Sequence, residues 1–136
     1  FGRRPAMIAA MLLFAVGHTT LGLLAFVDRS KVPLVVFSAA LLLGLADAIA
    51  APLRGVLKND NADCVKNWAE LNGKDQKSAI AKSFGLLDVL LDLVGVFYPI
   101  GLGLCATFLS GAIASFVCAA VGMLGALWAA CLPNPF

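Results

Sequence analysis

Charge is scarce in this sequence. Of its 136 residues, 13% are Asp, Glu, Lys or Arg and 61% are hydrophobic, and the mean hydropathy is +0.94. Soluble domains carry about a quarter charged residues and are about half apolar. A chain of this length cannot hide such a surplus of apolar side chains in a core of its own. The composition excludes an ordinary soluble domain and predicts an integral membrane protein with lipids as partners.

The sequence also lacks the motifs on which enzymes and nucleic-acid-binding proteins depend. Its four cysteines form no CxxC or CxxH spacing, so neither a metal site nor a disulfide framework is predicted. No nucleophile motif or phosphate-binding loop is present. The net charge is only +2, and the basic residues lie at the ends of apolar runs rather than in a surface stripe. We therefore expect no enzyme activity, no cofactor, no metal and no nucleic-acid partner.

Long apolar runs dominate what is present. A helix of about 20 residues crosses the hydrocarbon layer of a bilayer, which is roughly 30 Å thick. Four runs reach that length, at residues 5–27, 32–53, 83–108 and 111–132. Backbone polar groups in lipid need partners within their own segment, so these runs are expected to be helices. The prediction is an all-α integral membrane bundle of four transmembrane helices, a single transmembrane domain over residues 1–136.

Residues 54–82 form the longest polar stretch, and we predict a polar loop there. Within it, Asp60 or Asn61 would cap a short helix that carries Trp68 and ends at Gly73. This segment is either a solvated connector or an interfacial helix with Trp68 at the level of the lipid headgroups.

In the predicted membrane topology, most basic side chains lie on one side of the membrane. Four spans place the N-terminus, the central loop and the C-terminus on the same side of the membrane. Only Arg29 and Lys31 fall on the opposite side. The basic side carries Arg3, Arg4, Arg54, Lys58, Lys66, Lys74, Lys77 and Lys82. By the positive-inside rule we expect that side to be cytoplasmic, or stromal or matrix in an organelle.

Several short motifs occur in the order found in a known family. Gly2-Arg3-Arg4-Pro5, leading into the first span, resembles the end of the cytoplasmic loop motif before the third helix of major facilitator superfamily transporters. The run from Leu43 to Ala48, followed by Ala51-Pro52, resembles the fourth helix and its exit. The run from Ala81 to Asp88, with Pro99, Gly101 and Gly103 downstream, resembles the fifth helix and its glycine-proline region.

This resemblance implies that the chain corresponds to helices three to six of a twelve-helix transporter, a partial half of that fold. Alternating access requires two repeats that move around a shared site, so we expect a fragment or remnant that does not transport alone. Its partners would be further transmembrane helices. A second interpretation is a noncatalytic accessory or structural subunit of a larger photosynthetic or respiratory membrane complex.

Three carboxylates mark the candidate site. Asp47, Asp88 and Asp92 lie within or near apolar spans, where a charge costs about 2.5–3.5 kcal/mol. Asp88 and Asp92 are four residues apart and share a helix face. Together with Arg54 they are candidates for coupling or gating. The alternative is structural: Arg54 would pair with Asp88 or Asp92, and Asp47 would form an interhelical hydrogen bond.

His18, the single histidine, would serve as a proton relay or a pigment ligand, or be satisfied by a neighbouring helix. Small residues indicate close helix packing. They are Gly44 and Ala48 on the second span, Gly85, Gly95, Gly101 and Gly103 on the third, and Gly111, Gly122 and Gly125 on the fourth. Pro99 predicts a kink in the third span.

Overall fold

The structure is a computed structural model that describes residues 3–131, with side-chain surroundings at all of these positions other than 91 and 95. Four α-helices follow one another in the chain: α1 (Arg3–Gly22), α2 (Val32–Leu71), α3 (Gln76–Phe108) and α4 (Gly111–Cys131). Two single-turn 3-10 helices, Leu23–Phe26 and Arg29–Lys31, connect α1 to α2. Residues 3–131 contain no strand, which confirms the all-α prediction.

The prediction of four helices of membrane-spanning length is confirmed. Within residues 3–131, four helices are long and apolar enough to cross a membrane by length and composition. Polar hydroxyls inside them bond to their own helix, as lipid requires. The Thr19 and Thr20 hydroxyls donate to the carbonyls of Ala15 and Val16 at 2.9 and 2.8 Å. These two hydroxyls of α1 are therefore satisfied within their own helix.

The connections from α1 to α2 and from α3 to α4 are short, and backbone N–H groups are satisfied in both. In the first, the Lys31 N–H donates to the Asp28 carbonyl at 2.9 Å. In the second, the Ile113 N–H donates to the Ser110 hydroxyl oxygen at 3.2 Å, which caps the first turn of α4.

The prediction of a polar loop over residues 54–82 is wrong, because most of these residues are helical. α2 continues without a break to Leu71, and α3 already begins at Gln76. Lys, Glu and Ala have high intrinsic helix propensity, so the polar sequence extends both helices beyond their apolar parts. With 40 residues, α2 is about twice as long as a membrane crossing requires.

The reversal between α2 and α3 occupies only residues 72–75. Gly73 has a φ of 62°, a left-handed conformation that glycine adopts without steric cost. The Lys74 N–H donates to the Ala69 carbonyl at 2.9 Å, and the Asp75 carboxylate accepts the Ser78 N–H at 3.0 Å. The prediction that Gly73 ends a helix is confirmed, although the helix it ends is α2 itself.

The chain forms two compact units, one made of residues up to 53 and from 102 onward, the other of residues 54–101. The single transmembrane domain over residues 1–136 stays a prediction. In the first unit, α1 packs along α4. The buried positions of these two helices are small residues apart from His18: Ala10, Ala15, Gly17, His18 and Gly22 on α1, and Ala114, Cys118, Ala119, Gly122, Ala126 and Ala129 on α4.

Glycine makes the close approach of α1 and α4 feasible. A Cβ at Gly122 would lie 2.9 Å from Phe14 Cδ1 and 3.2 Å from the backbone nitrogen of Ala15. A Cβ at Gly22 would lie 2.8 Å from the Phe116 ring. Small residues are the usual means of helix contact in lipid, where apolar burial alone does not drive association. The predicted packing role of the glycines on α4 therefore holds at Gly122.

We expect Gly122→Val to lower the free energy of unfolding by about 2 kcal/mol, because the side chain meets the backbone of Ala15. Gly44→Val is the matched control, since no described atom lies within 4 Å of a Cβ built at Gly44; its effect should stay below about 0.5 kcal/mol. The measurement is a sodium dodecyl sulfate titration in detergent micelles, followed by circular dichroism. Equal effects of the two substitutions would contradict this packing.

Candidate functional site

In the second unit, polar side chains of α2 face polar side chains of α3. The Lys58 ammonium forms an ion pair with the Asp88 carboxylate. Three residues further along α2, the Asn61 amide donates a hydrogen bond to the Ser83 hydroxyl oxygen. We call Arg54, Lys58 and Asn61 of α2, with Ser83, Asp88 and Asp92 of α3, the α2–α3 polar face.

The ion pair of Lys58 and Asp88 lies at the surface. The two side chains are 36% and 54% exposed, so water or lipid headgroups screen their attraction. An exposed pair of this kind stabilises a protein by about 0–1 kcal/mol. The pair is better suited to aligning two helices than to holding them together by its own strength.

The cation beside Asp88 differs from the one expected. Sequence reasoning pointed to Arg54, whereas the structure places Lys58 there. Arg54 lies one helical turn before Lys58 on α2, and both residues share a face. The sequence therefore identified the correct helix face but missed the residue. The spacing in the sequence could have indicated Lys58: it lies four residues after Arg54, just as the two carboxylates on α3 lie four residues apart.

The other two carboxylates of the candidate site lie on exposed surface. Asp92 follows Asp88 by one turn on α3 and is exposed. The structure gives Asp92 no hydrogen bond or ion pair with another of the residues it describes. Asp47 lies on the part of α2 that belongs to the first unit, and it is exposed as well. Coupling or gating by Asp47, Arg54, Asp88 and Asp92 stays a prediction.

His18 lies on the buried face of α1 and is 8% exposed. Its ring is 4.4 Å from the Phe14 ring between centroids, with a tilt of 58° between the planes. The contacts of Gly22 and Gly122 across α1 and α4 lie on either side of it along the helix. A pigment would need open space in front of the imidazole. The roles of pigment ligand and proton relay stay predictions.

Only part of the N-terminal loop motif, Gly2-Arg3-Arg4, lies within the residues that the structure describes. Gly2 lies outside the described residues. Arg3 is exposed at the first residue of α1, and the Arg4 guanidinium donates to the carbonyl oxygen of Ala130 in the last turn of α4. The last carbonyls of a helix have no partner within it, and its C-terminal end favours a cation. Arg4 thus caps α4, a contact that sequence reasoning missed.

The glycine-proline region lies in the last third of α3. The helix continues through Pro99 to Phe108, and the predicted kink stays a prediction. No described atom lies within 4 Å of a Cβ built at Gly101 or Gly103. The surroundings of Gly95 lie outside those that the structure describes. Gly101 and Gly103 thus leave exposed surface on α3.

Trp68 lies near the end of α2 and is 50% exposed. The Lys74 ammonium lies 5.1 Å from the centroid of its ring, within the range of a cation–π interaction. An open groove of about 530 Å³ borders both residues and continues to Ser78 and Lys82. The position of Trp68 relative to lipid headgroups stays a prediction.

Within residues 3–131, no three His, Cys, Asp or Glu side chains are arranged to hold a metal ion. The four cysteines are free thiols. Comparisons with protein-family models, with curated proteins and with solved structures give no match for this chain.

A double-mutant cycle measures the Lys58–Asp88 pair. We expect Lys58→Met and Asp88→Leu to give a coupling free energy below about 1 kcal/mol at low salt, because both side chains are partly exposed. The coupling should fall further in 1 M salt, where the screening length is about 3 Å. Unfolding in detergent micelles provides the free energies. A coupling that is larger and insensitive to salt would mean that the pair is buried, contrary to the structure.

Proposed function

We propose that the chain is a membrane-embedded part of a secondary transporter of the major facilitator type, which moves solute only together with further transmembrane helices. The observation that carries this proposal is a contrast between the four helices. α1 and α4 are closely packed, and α2 contacts α1 where Leu43 lies against Gly17, whereas the small residues Gly44 and Ala48 of α2 and Gly101 and Gly103 of α3 are exposed.

The surroundings of the glycines differ between these helices. On α1 and α4, Cβ atoms built at Gly22 and Gly122 would lie under 3.0 Å from neighbouring side chains. On α2 and α3, no described atom comes within 4 Å of one built at Gly44 or Gly101. Small residues at such positions are the means by which transmembrane helices associate. Their exposure supports a larger assembly in which further helices pack there.

The position of the charged residue Asp47 also supports a larger assembly. Asp47 is exposed on the same turn of α2 as Gly44 and Ala48. Ionisable residues within membrane spans almost always face a bundle interior or a water-filled cavity, because a charge in lipid costs about 2.5–3.5 kcal/mol. We infer that this face of α2 lines the interior of the complete assembly rather than lipid.

The transporter type rests on the order of motifs along the chain, from Arg3 and Arg4 through Asp47 to Pro99 and Gly101. Alternating access requires two repeats around a shared site near the middle of the membrane. Four helices supply part of one repeat, so transport by this chain alone is not expected. The excess of Lys and Arg at the α2–α3 reversal supports a cytoplasmic, stromal or matrix position for that reversal.

The size of the native particle tests the proposal. We expect an antibody against residues 59–77 to detect, in membranes solubilised with mild detergent, a polypeptide much larger than the 14.1 kDa of this chain. A native gel followed by a denaturing gel separates the outcomes. A large native particle that releases a 14.1 kDa chain on denaturation contradicts the transporter and supports the accessory subunit. A particle no larger than one chain contradicts both.

The chain itself, purified and reconstituted, provides the control. In liposomes loaded with a pH-sensitive dye, it should leave an imposed pH gradient as stable as protein-free liposomes do, and a proton ionophore added last should collapse the gradient. A saturable proton or cation flux through the isolated chain would contradict the claim that further helices are required.

A further inference from the structure

The apolar part of α3 is exposed along its described residues. None of those in the stretch that could cross a membrane is buried, whereas α1 and α4 bury part of theirs. No described atom lies within 4 Å of a Cβ built at Gly85 on this helix. A helix in a membrane is covered either by lipid chains or by other helices, and polar groups on its surface favour a helix. The polar residues of α3 therefore indicate what covers it.

One exposed face of α3 has the spacing of a helix–helix contact. Its residues recur at steps of four and three, the pattern along which two helices pack side by side. We call them the Asp92 face, and all of them are exposed: Gly85, Val89, Asp92, Val96 and Pro99. At 1.5 Å per residue this stripe runs for about 21 Å along α3, which is long enough for contact with one further helix.

In the predicted membrane topology, Asp92 lies inside the hydrocarbon layer. Sixteen residues separate it from Phe108, the last residue of α3, which corresponds to about 24 Å at 1.5 Å per residue. Because the hydrocarbon layer is roughly 30 Å thick, a helix with Phe108 at one boundary places Asp92 about 6 Å inside the other. Asp88, four residues earlier, lies at that boundary. The short side chain of Asp92 cannot reach the headgroups from this depth as a lysine would.

No described residue supplies Asp92 with an opposite charge. Lys58 pairs with Asp88, and the interaction that Arg54 makes does not involve Asp92. The sequence contains no Lys or Arg within its four predicted spans. A second copy of the chain, packed on this face by two-fold symmetry, would bring another Asp92 instead of a cation. Because a carboxylate within a span requires an opposite charge or water, the charge comes from outside this chain.

We propose that the Asp92 face packs against a transmembrane helix from outside these 136 residues, and that this helix carries a Lys or Arg whose cation pairs with Asp92. The inference rests on the part of the proposed function that surrounds the chain with further transmembrane helices, and it names the chemistry of one of them. Each charge offsets the cost of placing the other in lipid, so the pair selects this helix over uncharged ones. The pairing serves a transporter and an accessory subunit equally.

Photocrosslinking in native membranes identifies the covering helix. The photoreactive residue p-benzoylphenylalanine replaces Val96, one turn from Asp92, and mass spectrometry identifies the segment to which it crosslinks. We expect an apolar segment of about 20 residues that contains a Lys or Arg. When Asp92→Leu is added, the yield of that crosslink should fall about fivefold, because the cation loses its partner.

The matched control places the same photoreactive residue at Val94. Val94 and Val96 are both exposed, but Val94 lies two residues from Asp92 and therefore on the opposite side of α3. Its crosslinks should go to lipid or to a different segment, and Asp92→Leu should leave their yield unchanged. Crosslinks from Val96 to a segment without Lys or Arg, crosslinks from Val96 to lipid alone, or the same segment from both positions would overturn the proposal.

The effect of Asp92→Leu on stability separates the proposed contact from a role of Asp92 within the chain. In the isolated chain, the folded-to-unfolded ratio in detergent micelles should stay within about twofold of the parent, because no contact among the described residues is lost. In the native particle, the fraction that survives mild heating on a native gel should fall about fivefold, because a cation is left unpaired in lipid. Asp92→Glu keeps the charge and should retain more than about half of that fraction.

The native gel also separates a failure of this inference from a failure of the proposed function. A parent chain that runs as a particle no larger than itself contradicts both. A large particle that survives heating equally well with Asp92→Leu contradicts the inference alone. An equal loss in the isolated chain and in the native particle would assign Asp92 a contact within the chain and overturn the proposed pairing.

Discussion

Lipid offers no hydrogen-bond partners to the peptide backbone, and the rest of this structure depends on that constraint. Every N–H and carbonyl within a span must be satisfied by the same segment, which leaves helices for long apolar runs that do not alternate. The hydroxyls of Thr19 and Thr20 obey the constraint by bonding one turn back. Where the last carbonyls of α4 lack partners, Arg4 supplies one at Ala130.

The same environment decides how the helices associate. Lipid solvates a leucine as well as a protein interior does, so contact depends on close approach and on polar groups. α1 and α4 use the first means, with Gly122 against Phe14 and Ala15. α2 and α3 use the second, with Lys58–Asp88 and Asn61–Ser83 between them. One chain thus contains a packed pair of helices and a pair aligned by charge, which is consistent with a role inside a larger assembly.

Local composition was sufficient to predict four helices of membrane-spanning length, from hydropathy, and the helix end at Gly73, from the conformational freedom of glycine. Hydropathy could not predict that residues 54–71 are helical, because a polar helix and a polar loop contain the same types of residue. The pairing of Asp88 with Lys58 rather than Arg54 depends on the register between two helices. That register depends on the exact length of the reversal at residues 72–75, which composition alone does not determine.

The central claim is that these four helices thread a bilayer so that the α2–α3 reversal and the α1–α2 connection lie on opposite sides. Cys64, exposed on the polar part of α2, is a native probe once the other three cysteines are replaced by alanine. A matched variant carries Cys64→Ala and Ser30→Cys. In sealed vesicles of one orientation, a membrane-impermeant maleimide should label one variant from outside and the other only after permeabilisation. Labelling of both from the same side would contradict the account.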